Sequence, residues 1–485
     1  MPVIPFPSAR DGRLTGPSAG AWQNRAVTRI PGPTDFAFRV ERTLSNGRGR
    51  AGAITTPHGP IRTPAFIPVG TKGTVKAVPP ELMRGSGAQA LLANALHLYL
   101  QPGPAIVDQA GGLGAFMNWS GPTFTDSGGF QVMSLGSGFK KVIAMEVDEL
   151  DDDTQTAPGR TRHAFVDEDG VDFSSPLNGS RHRFTPEVSM QVQHQIGADI
   201  IFAFDELTTL VNTRRYQEAS VQRTQRWAQR CLDAHVTLTG QRADHAYQAL
   251  FGVVQGAQYE DLRRQACRGL RDTRADADAD CGFDGYGIGG ALTKSKLGEI
   301  VGWCADELPS DKPRHLLGIS EPEDLFAAIE AGADTFDCVN PSRVARNGAI
   351  YTAQGRYNVT TAANRSAFTP LEDGCDCYTC THYTRAYLHH LFKGHEMLAA
   401  TLATVHNERF HLRLVDRIRQ AILDGEFDAL RAEFLGQFHA RHSPAPVEDR
   451  RASRRPITQA DAARADTTLP ARVPDQSAVA GSVHE

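Results

Sequence analysis

The sequence lacks any apolar run of the ~18 residues that a helix needs to cross a bilayer, so we expect a soluble protein with no membrane partner. Its opening, MPVIPFPSARDGRLTGPSAG, lacks the apolar core of a secretory signal, which favours a cytoplasmic protein. Excess charge is also small, at -5 over 485 residues. Any nucleic-acid partner must therefore be bound by a local basic patch rather than by the field of the whole protein.

Cysteine is scarce and unevenly placed. Five of the eight cysteines stand singly, whereas Cys375, Cys377 and Cys380 fall together in CDCYTC. In a reducing compartment, clustered thiols indicate a metal site before a disulfide. A tetrahedral site needs a fourth ligand, for which His406 in TLATVHNERF is the best candidate. The competing candidates are His382, His389, His390 and His395.

Three thiolates and one imidazole leave no open coordination position for a reacting water. The pattern therefore predicts one structural Zn²⁺ per subunit. Its binding free energy, of order 10 kcal/mol, would contribute to folding.

Composition along the chain divides it into a central domain and two tails. Residues 1–36 and 443–485 are rich in Pro, Ser and Arg without periodicity, and we expect both to be disordered. The central domain, 37–442, contains an acidic surface loop at about 138–163 and a zinc-binding subdomain at about 366–410.

Short apolar runs recur about eight times in the central domain, each followed by polar residues and then by a helical pattern. The runs are TPAFIPVG, ALLANALHL, PTFTDSGG, ADIIFAFDE, ALFGVVQG, GYGIGG, RHLLGIS and DTFDCV. Repeated strand, loop and helix predict an α/β fold, a (β/α)8 TIM barrel with helices outside. A doubly wound open sheet is the alternative.

Polar residues gather where these runs end. They are Asn94, Asp126, Asp205 with Glu206, Gln255, Gly289 with Gly290, and Asp337. In a parallel barrel these positions share one rim, where the chemistry takes place. Asp126 alone could simply cap a helix. Together the residues predict a polar pocket for a planar, hydrogen-bonding ligand, with carboxylates free for acid-base or nucleophilic work.

Eight segments together resemble the tRNA-guanine transglycosylases, also called queuine tRNA-ribosyltransferases, over residues from about 37 to 440. They are TDSGGFQVMSL, LNGSRHRFTPE, IIFAFDE, LFGVVQG, FDGYGIGGAL, FDCVNPSRVARNG, CDCYTC and TVHNERF. The resemblance implies a barrel enzyme of queuosine biosynthesis, usually a homodimer with a structural zinc. Such an enzyme exchanges the wobble guanine of GUN-anticodon tRNAs (Asp, Asn, His, Tyr) for a 7-deazaguanine base.

The resemblance also implies a role for two carboxylates. Breaking an N-glycosidic bond builds positive charge on the ribose C1', which a carboxylate can stabilise and then bond to. Asp337 matches that nucleophile, and Asp126 matches the acid-base residue that protonates the departing guanine. Because one N-glycosidic bond replaces another, neither ATP nor a redox cofactor is needed.

Base recognition is assigned by the same resemblance. Asp205 would accept from the guanine N-H groups, Gln255 and the Gly290 amide would donate to its carbonyl, and Phe130 with Leu317 would sandwich the ring. The remaining predicted base-binding residues are Asn94, Gln131 and Gly289.

Contact with tRNA is predicted beside the nucleophile. The wobble base must flip out of the anticodon loop to reach a barrel pocket, and Arg343 and Arg346 would read the flanking bases.

Three alternatives concern function. A non-catalytic family subunit would keep the zinc and the barrel, but the presence of both Asp126 and Asp337 argues against it. Relatives that modify a D-loop guanine carry an additional RNA-binding domain, for which little chain follows His406. Queuine is the alternative incoming base. Leu207 and Ser295 depart from the bacterial pattern around the 7-substituent with opposing effects, and we expect 7-aminomethyl-7-deazaguanine.

Overall fold

The structure is a computed structural model that describes residues 35–129, 164–210 and 212–440. The predicted acidic loop and C-terminal tail lie outside these ranges, as does the predicted N-terminal tail up to residue 34. Phe36, at the end of that tail, is buried and makes an edge contact with Phe251 at 6.0 Å between ring centroids. Among the described helices, none has the length and apolarity needed to cross a membrane.

The described elements alternate between short strands and helices. The strands are β1 (Ala37–Thr43), β2 (Arg50–Thr56), β3 (Gly59–Thr63), β4 (Ala65–Pro68), β5 (Leu91–Ala93), β6 (Thr123–Thr125), β7 (Ala164–Val166), β8 (Val171–Ser174), β9 (Arg181–Phe184), β10 (Ile200–Phe202), β11 (Ala249–Val254), β12 (Gly285–Ile288), β13 (Arg314–Leu316), β14 (Thr335–Cys338), β15 (Ala349–Thr352) and β16 (Gly355–Asn358). The helices are α1 (Pro80–Gly85), α2 (Ala95–Leu100), α3 (Pro104–Gln109), α4 (Leu113–Phe116), α5 (Pro186–Ile196), α6 (Arg214–Gln241), α7 (Glu260–Asp272), α8 (Leu297–Glu307), α9 (Pro322–Ala331), α10 (Asn340–Ala345), α11 (Tyr378–His382), α12 (Arg385–Lys393), α13 (Met397–Asp424) and α14 (Phe427–Ala440).

Eight parallel strands form one sheet in the order β4-β14-β13-β12-β11-β10-β6-β5. A parallel bridge between Val69 and Leu92 joins the two end strands, so the sheet closes on itself. β5 and β6 share three ladder pairs, whereas β6 and β10 share only the pair Phe124 with Ile200. The eight strands coincide with the eight predicted runs. The predicted (β/α)8 barrel is therefore confirmed, and the open-sheet alternative is wrong.

The barrel strands are apolar on both faces because one face fills the interior and the other meets the helices. Phe124, Phe202 and Phe251 are fully buried in the interior cluster. Ile54 of β2 and Ile61 of β3 join the same cluster from the antiparallel sheet β1-β2-β3.

The sheet β1-β2-β3 covers the amino ends of the barrel strands. Arg50 of β2 forms a buried ion pair with Asp334, which directly precedes β14, at 2.7 Å. His58, in the turn between β2 and β3, bonds at 2.7 Å to Asp199, which directly precedes β10. With this end covered, the carboxyl ends of the strands are left for the site.

A small subdomain follows the last barrel strand. It contains the hairpin β15-β16 and helices α11 and α12, and it packs on the long helix α13. Helix α13 also packs on α10 and β4, so the subdomain is joined directly to the barrel wall. The predicted subdomain boundary at 410 falls inside α13.

Candidate active site and metal centre

Asp126 directly follows β6 and interacts with the amino end of α2. The backbone N-H of Ala95 donates to its Oδ1 at 2.9 Å, and the Asn94 amide donates to its Oδ2. Asn94 also caps α2, since its Oδ1 accepts from the His97 amide at 2.9 Å. These two donors fix the position of the Asp126 carboxyl group at the rim. The structure thus brings Asn94 and Asp126 together at the rim, with the carboxylate bound to a helix that precedes it in the chain.

Asp205, beyond the end of β10, is buried with two hydrogen-bond donors. The Ser127 hydroxyl donates to its Oδ1 at 2.9 Å, and the Gln255 amide donates to its Oδ2 at 2.6 Å. Burial nevertheless raises the pKa of Asp205 from 3.8 to about 6, because the ionised form loses its water shell. The Gln255 Oε1 atom is also buried, and it has no hydrogen-bond partner among the described residues.

Glu206 does not share the surroundings of its neighbour Asp205. Its carboxylate accepts from the Tyr216 hydroxyl at 2.6 Å and forms an ion pair with Arg223, both on α6. This carboxylate therefore fixes α6 to the rim loop instead of joining the polar group at the strand ends.

The glycine pair that follows β12 lies against Gln255. Gly290 has a φ of +85°, and a Cβ there would come within 2.8 Å of Gln255 Oε1, so both the backbone angle and the space require glycine. Below the pair, the fully buried Arg263 donates from Nη1 to Gly289 O at 2.7 Å and to Val254 O at 3.0 Å. Sequence reasoning missed Arg263, since nothing in DLRRQACRGL separates it from exposed arginines.

Asp337 is the penultimate residue of β14, and its side chain is 15% exposed. Its Oδ1 lies 3.0 Å from Nε2 of His315 on β13 and accepts from the Gly318 amide at 3.2 Å. Leu317, between these two donors in the chain, is half-buried. His315 was missed as well. The signal was a single histidine in the otherwise apolar run HLL at a strand position.

The two predicted tRNA-contacting arginines follow β14 directly. Arg343 is exposed on α10, and Arg346 at its end is half-buried. Burial, together with the charge of Arg343, lowers the pKa of Arg346. No ion pair joins either arginine to a carboxylate within the described ranges, which leaves both guanidinium groups available for phosphate or base edges.

Of the four other predicted positions, Phe130 and Gln131 lie outside the described residues. Leu207 is half-buried and packs against the main core cluster, and Ser295 is exposed in the 3-10 turn Lys294–Lys296.

The three clustered cysteines and His406 form one group whose ligand atoms all lie within 4.8 Å of one another. The Nδ1 atom of His406 is 3.6, 3.5 and 3.3 Å from the Sγ atoms of Cys375, Cys377 and Cys380. Tetrahedral Zn-S and Zn-N bonds of about 2.3 and 2.0 Å would place S and N about 3.5 Å apart. The cluster could therefore hold a metal ion of zinc size. The competing histidines do not belong to the cluster.

His406 is oriented for ligation by a bond on its other nitrogen. Its Nε2 donates to the Tyr351 carbonyl at 2.8 Å, which leaves Nδ1 to face the thiols. The Tyr351 hydroxyl donates to Glu321 at 2.7 Å, in the loop after β13, and the Tyr351 amide donates to Asn407 at 3.1 Å. One tyrosine thus connects the metal centre to the rim.

Comparisons with known proteins agree on one family. A family model described as "Queuine tRNA-ribosyltransferase" matches residues 45–440. A curated "Queuine tRNA-ribosyltransferase" of Roseiflexus sp. (strain RS-1) is 45% identical over 411 residues, which is 83% of this chain and 99% of the relative. Relatives of the same name are 43% identical over 406 residues in Halothermothrix orenii, covering 83% of this chain and 98% of the relative, and 41% identical over 418 residues in Psychrobacter sp. (strain PRwf-1), covering 84% and 98%.

Proposed function

Since this chain belongs to the queuine tRNA-ribosyltransferase family and is a tRNA-guanine transglycosylase, we propose that it replaces the wobble guanine of GUN-anticodon tRNAs (Asp, Asn, His, Tyr) with a 7-deazaguanine base. The exchange would serve queuosine biosynthesis. One observation carries the proposal: Asp126 and Asp337 stand at the carboxyl ends of strands of one barrel, with the buried pair Asp205 and Gln255 on strands between them.

The exchange consists of two half-reactions at C1' of the ribose. In the first, the C1'-N9 bond breaks, the Asp337 carboxylate bonds to C1', and Asp126 gives a proton to the departing guanine. In the second, a ring nitrogen of the incoming base bonds to C1', its proton passes to Asp126, and the electrons of the C1'-O bond return to Asp337. The enzyme ends in its starting state, so no external energy source enters.

Groups along the rim recognise the hydrogen-bonding edge and the two faces of the base. Ionised Asp205 accepts from N1-H and the 2-amino group, which only a guanine-like edge presents together. Gln255 has a second Nε2 hydrogen for the base carbonyl, and the Gly290 amide supplies another donor. Leu317 and Phe130 pack on the two ring faces. Asn94, Gln131 and Gly289 complete the pocket.

The tRNA inserts its flipped wobble base while the flanking nucleotides stay outside. Arg343 and Arg346 follow the nucleophile's strand, and their lack of an ion pair within the described ranges supports contact with bases or phosphates. A good bidentate contact is worth about 1–3 kcal/mol of discrimination between bases.

Cys375, Cys377, Cys380 and His406 would hold one Zn²⁺ per subunit. The ion would offset most of the charge of three thiolates and cross-link the loop after β16 to α13, and it would leave no open position for chemistry. The thiolates stay reduced in the cytoplasm, where we place the protein.

We propose a homodimer formed through the zinc-binding subdomain. Tyr378 and Tyr387 are 42% and 40% exposed there, Met397 is 86% exposed, and Tyr383 stacks on Tyr387 at 5.5 Å. Exposed aromatic and apolar side chains of this kind mark protein interfaces. A second copy of the same chain is the partner that the family resemblance implies.

The covalent step is tested by trapping. Wild-type enzyme incubated with a GUN-anticodon tRNA and a base analogue should give a protein-tRNA adduct that migrates more slowly on a denaturing gel. Asp337→Asn should give none, because an amide is a poor nucleophile. Asp311→Asn, at an exposed carboxylate before β13, is the matched control and should form the adduct normally. An adduct in the Asp337 variant would assign the nucleophile elsewhere.

We propose 7-aminomethyl-7-deazaguanine as the incoming base. Leu207 narrows the space around the 7-substituent, and one or two extra methylenes in a tight wall discriminate by about 1–3 kcal/mol. Ser295 removes a carboxylate that would hold an ammonium, which opposes this choice. Displacement of radiolabelled guanine from tRNA by each base at equal concentration decides between them. Faster displacement by queuine would reject the aminomethyl base and leave the transglycosylase assignment intact.

A further inference from the structure

His315 is fully buried in β13 and uses both ring nitrogens. Its Nε2 lies 3.0 Å from Asp337 Oδ1, and its Nδ1 lies 2.9 Å from the Thr335 hydroxyl. The ring packs between Phe124 and Phe202, at 5.6 and 5.2 Å between centroids. Aromatic packing on two sides and hydrogen bonds at both ends fix the orientation of the imidazole.

The chemistry of the partners sets the direction of these bonds. A carboxylate can only accept, and a neutral imidazole has one donor and one acceptor. Nε2-H therefore donates to Asp337, and Nδ1 accepts from the Thr335 hydroxyl. The carboxylate therefore fixes the tautomer, and the Thr335 hydroxyl supports it by donating to Nδ1.

The two oxygens of Asp337 are not equivalent. Oδ1 receives the His315 hydrogen bond and, at 3.2 Å, the Gly318 amide. Oδ2 has no hydrogen-bond partner within the described part of the chain. Resting on the proposed role of Asp337 as nucleophile, this asymmetry identifies Oδ2 as the oxygen that bonds to C1'.

We propose that His315 is a positioning residue for Asp337, which presents Oδ2 to the ribose and stabilises the carboxylate charge that returns when the covalent intermediate breaks down.

The second half-reaction depends on this bond more than the first. When the C1'-Oδ2 bond breaks, its electron pair returns to the carboxylate and is shared with Oδ1, where His315 donates. The incoming base forms the new C1'-N bond with its own lone pair, and its proton goes to Asp126. In the first half-reaction the carboxylate loses charge, so the His315 bond weakens as the intermediate forms. Loss of His315 should therefore slow breakdown more than formation.

The test is quenched-flow measurement of adduct formation and decay in the full-length enzyme with GUN-anticodon tRNA. His315→Phe keeps an aromatic ring and removes both hydrogen bonds. Hydrogen bonds to charged groups of this strength change rates by roughly 10- to 100-fold, and that slowing is expected for adduct decay after base is added. The dissociation constant for tRNA should stay within about twofold, since His315 is fully buried, whereas kcat and the KM for tRNA should fall together once adduct decay limits turnover.

Two further variants separate positioning from packing. His315→Gln can still donate to Asp337 and accept from Thr335, and it should restore most of the decay rate. Thr335→Val keeps the shape but removes the hydroxyl that donates to Nδ1 and holds the ring in place. In the otherwise wild-type enzyme, this substitution should slow adduct decay by at least about threefold. Added to His315→Phe, it should have no further effect, because Thr335 acts on Asp337 through His315.

The outcomes are distinct. If the adduct of a folded His315→Phe variant decays as fast as the wild-type adduct, the role of His315 is overturned and the covalent mechanism still stands. No rescue by Gln in a folded protein would also overturn it. Absence of any adduct in the wild type would overturn the nucleophile assignment and the role of His315 together. If His315→Phe does not fold, as judged by circular dichroism, unchanged decay in Thr335→Val rejects the proposal.

Discussion

Replacing Asp205 by Asn should change the pH dependence of stability in a defined direction. Burial raises the pKa of Asp205 to about 6 in the folded protein, from an ordinary value of 3.8. A raised carboxyl pKa means that the folded state binds the proton more tightly than the unfolded state. The stabilisation is therefore complete below pH 3.8 and is lost as the pH rises through about 6.

The magnitude follows from the shift. Two pKa units at about 1.36 kcal/mol each amount to ~3 kcal/mol, of which about 2 kcal/mol falls between pH 4.5 and 8. Asparagine does not titrate, and the hydrogen bond that it loses with Ser127 or Gln255 is a constant offset. Across that pH range, the unfolding free energy of Asp205→Asn should thus gain about 2 kcal/mol relative to wild type.

Urea unfolding of wild type and variant at half-unit pH steps measures this difference. Asp311→Asn, at an exposed carboxylate, should track wild type throughout. A second readout is base binding: if Asp205 binds the base as proposed, the KM of wild type for free guanine should fall as the pH passes about 6, because only the ionised carboxylate can accept from both N-H groups. A difference in unfolding free energy between Asp205→Asn and wild type that stays constant across the range would refute the reasoning.

The remaining predictions concern one buried carboxyl, the metal and the tRNA. Glu408→Leu should raise the unfolding free energy by about 1–3 kcal/mol, because both Glu408 oxygens are buried without a partner among the described residues. The control Glu433→Leu, on an exposed face, should change the unfolding free energy by less than about 0.5 kcal/mol. A Glu408→Leu variant less stable than wild type would contradict the argument. Cys377→Ser should lose zinc, measured by elemental analysis, together with thermal stability, whereas Cys281→Ser keeps both; an active metal-free variant would exclude a structural role. Arg343→Ala should weaken tRNA binding and reduce the slope of log affinity against log salt by about 1 if it contacts a phosphate, and an unchanged slope would assign it to a base.

The barrel could be predicted because its signal is local. Each strand is a short apolar run that ends at a polar residue, and eight repeats identify the architecture without any contact information. The rim residues Asn94, Asp205 and Gln255 followed from the same rule, since their place after a strand already fixes the side of the barrel that they occupy.

What could not be predicted depends on contacts between distant parts of the chain. Arg263 lies on an outer helix, and its bonds to the carbonyl oxygens of Val254 and Gly289 connect it to the rim. Glu206 looked equivalent to its neighbour Asp205 until its partners on α6 were known. From the sequence, Asp126 could cap a helix that follows it in the chain. In the structure it accepts a hydrogen bond from the first backbone amide of α2, which lies about thirty residues earlier.

The number of ladder pairs between neighbouring strands divides the barrel into two groups of strands. Strands β5 and β6 form a two-strand panel that is joined to the other six strands by one pair on each side, Val69 with Leu92 and Phe124 with Ile200. The panel bears Asp126, while the six-strand arc bears Asp337, His315 and, beyond the end of β11, Gln255. In the proposed exchange, the ribosyl carbon moves between Asp337 on the arc and a base nitrogen served by Asp126 on the panel. The barrel therefore has few ladder pairs at the two boundaries that separate the proposed proton-transfer carboxyl group from the proposed nucleophile.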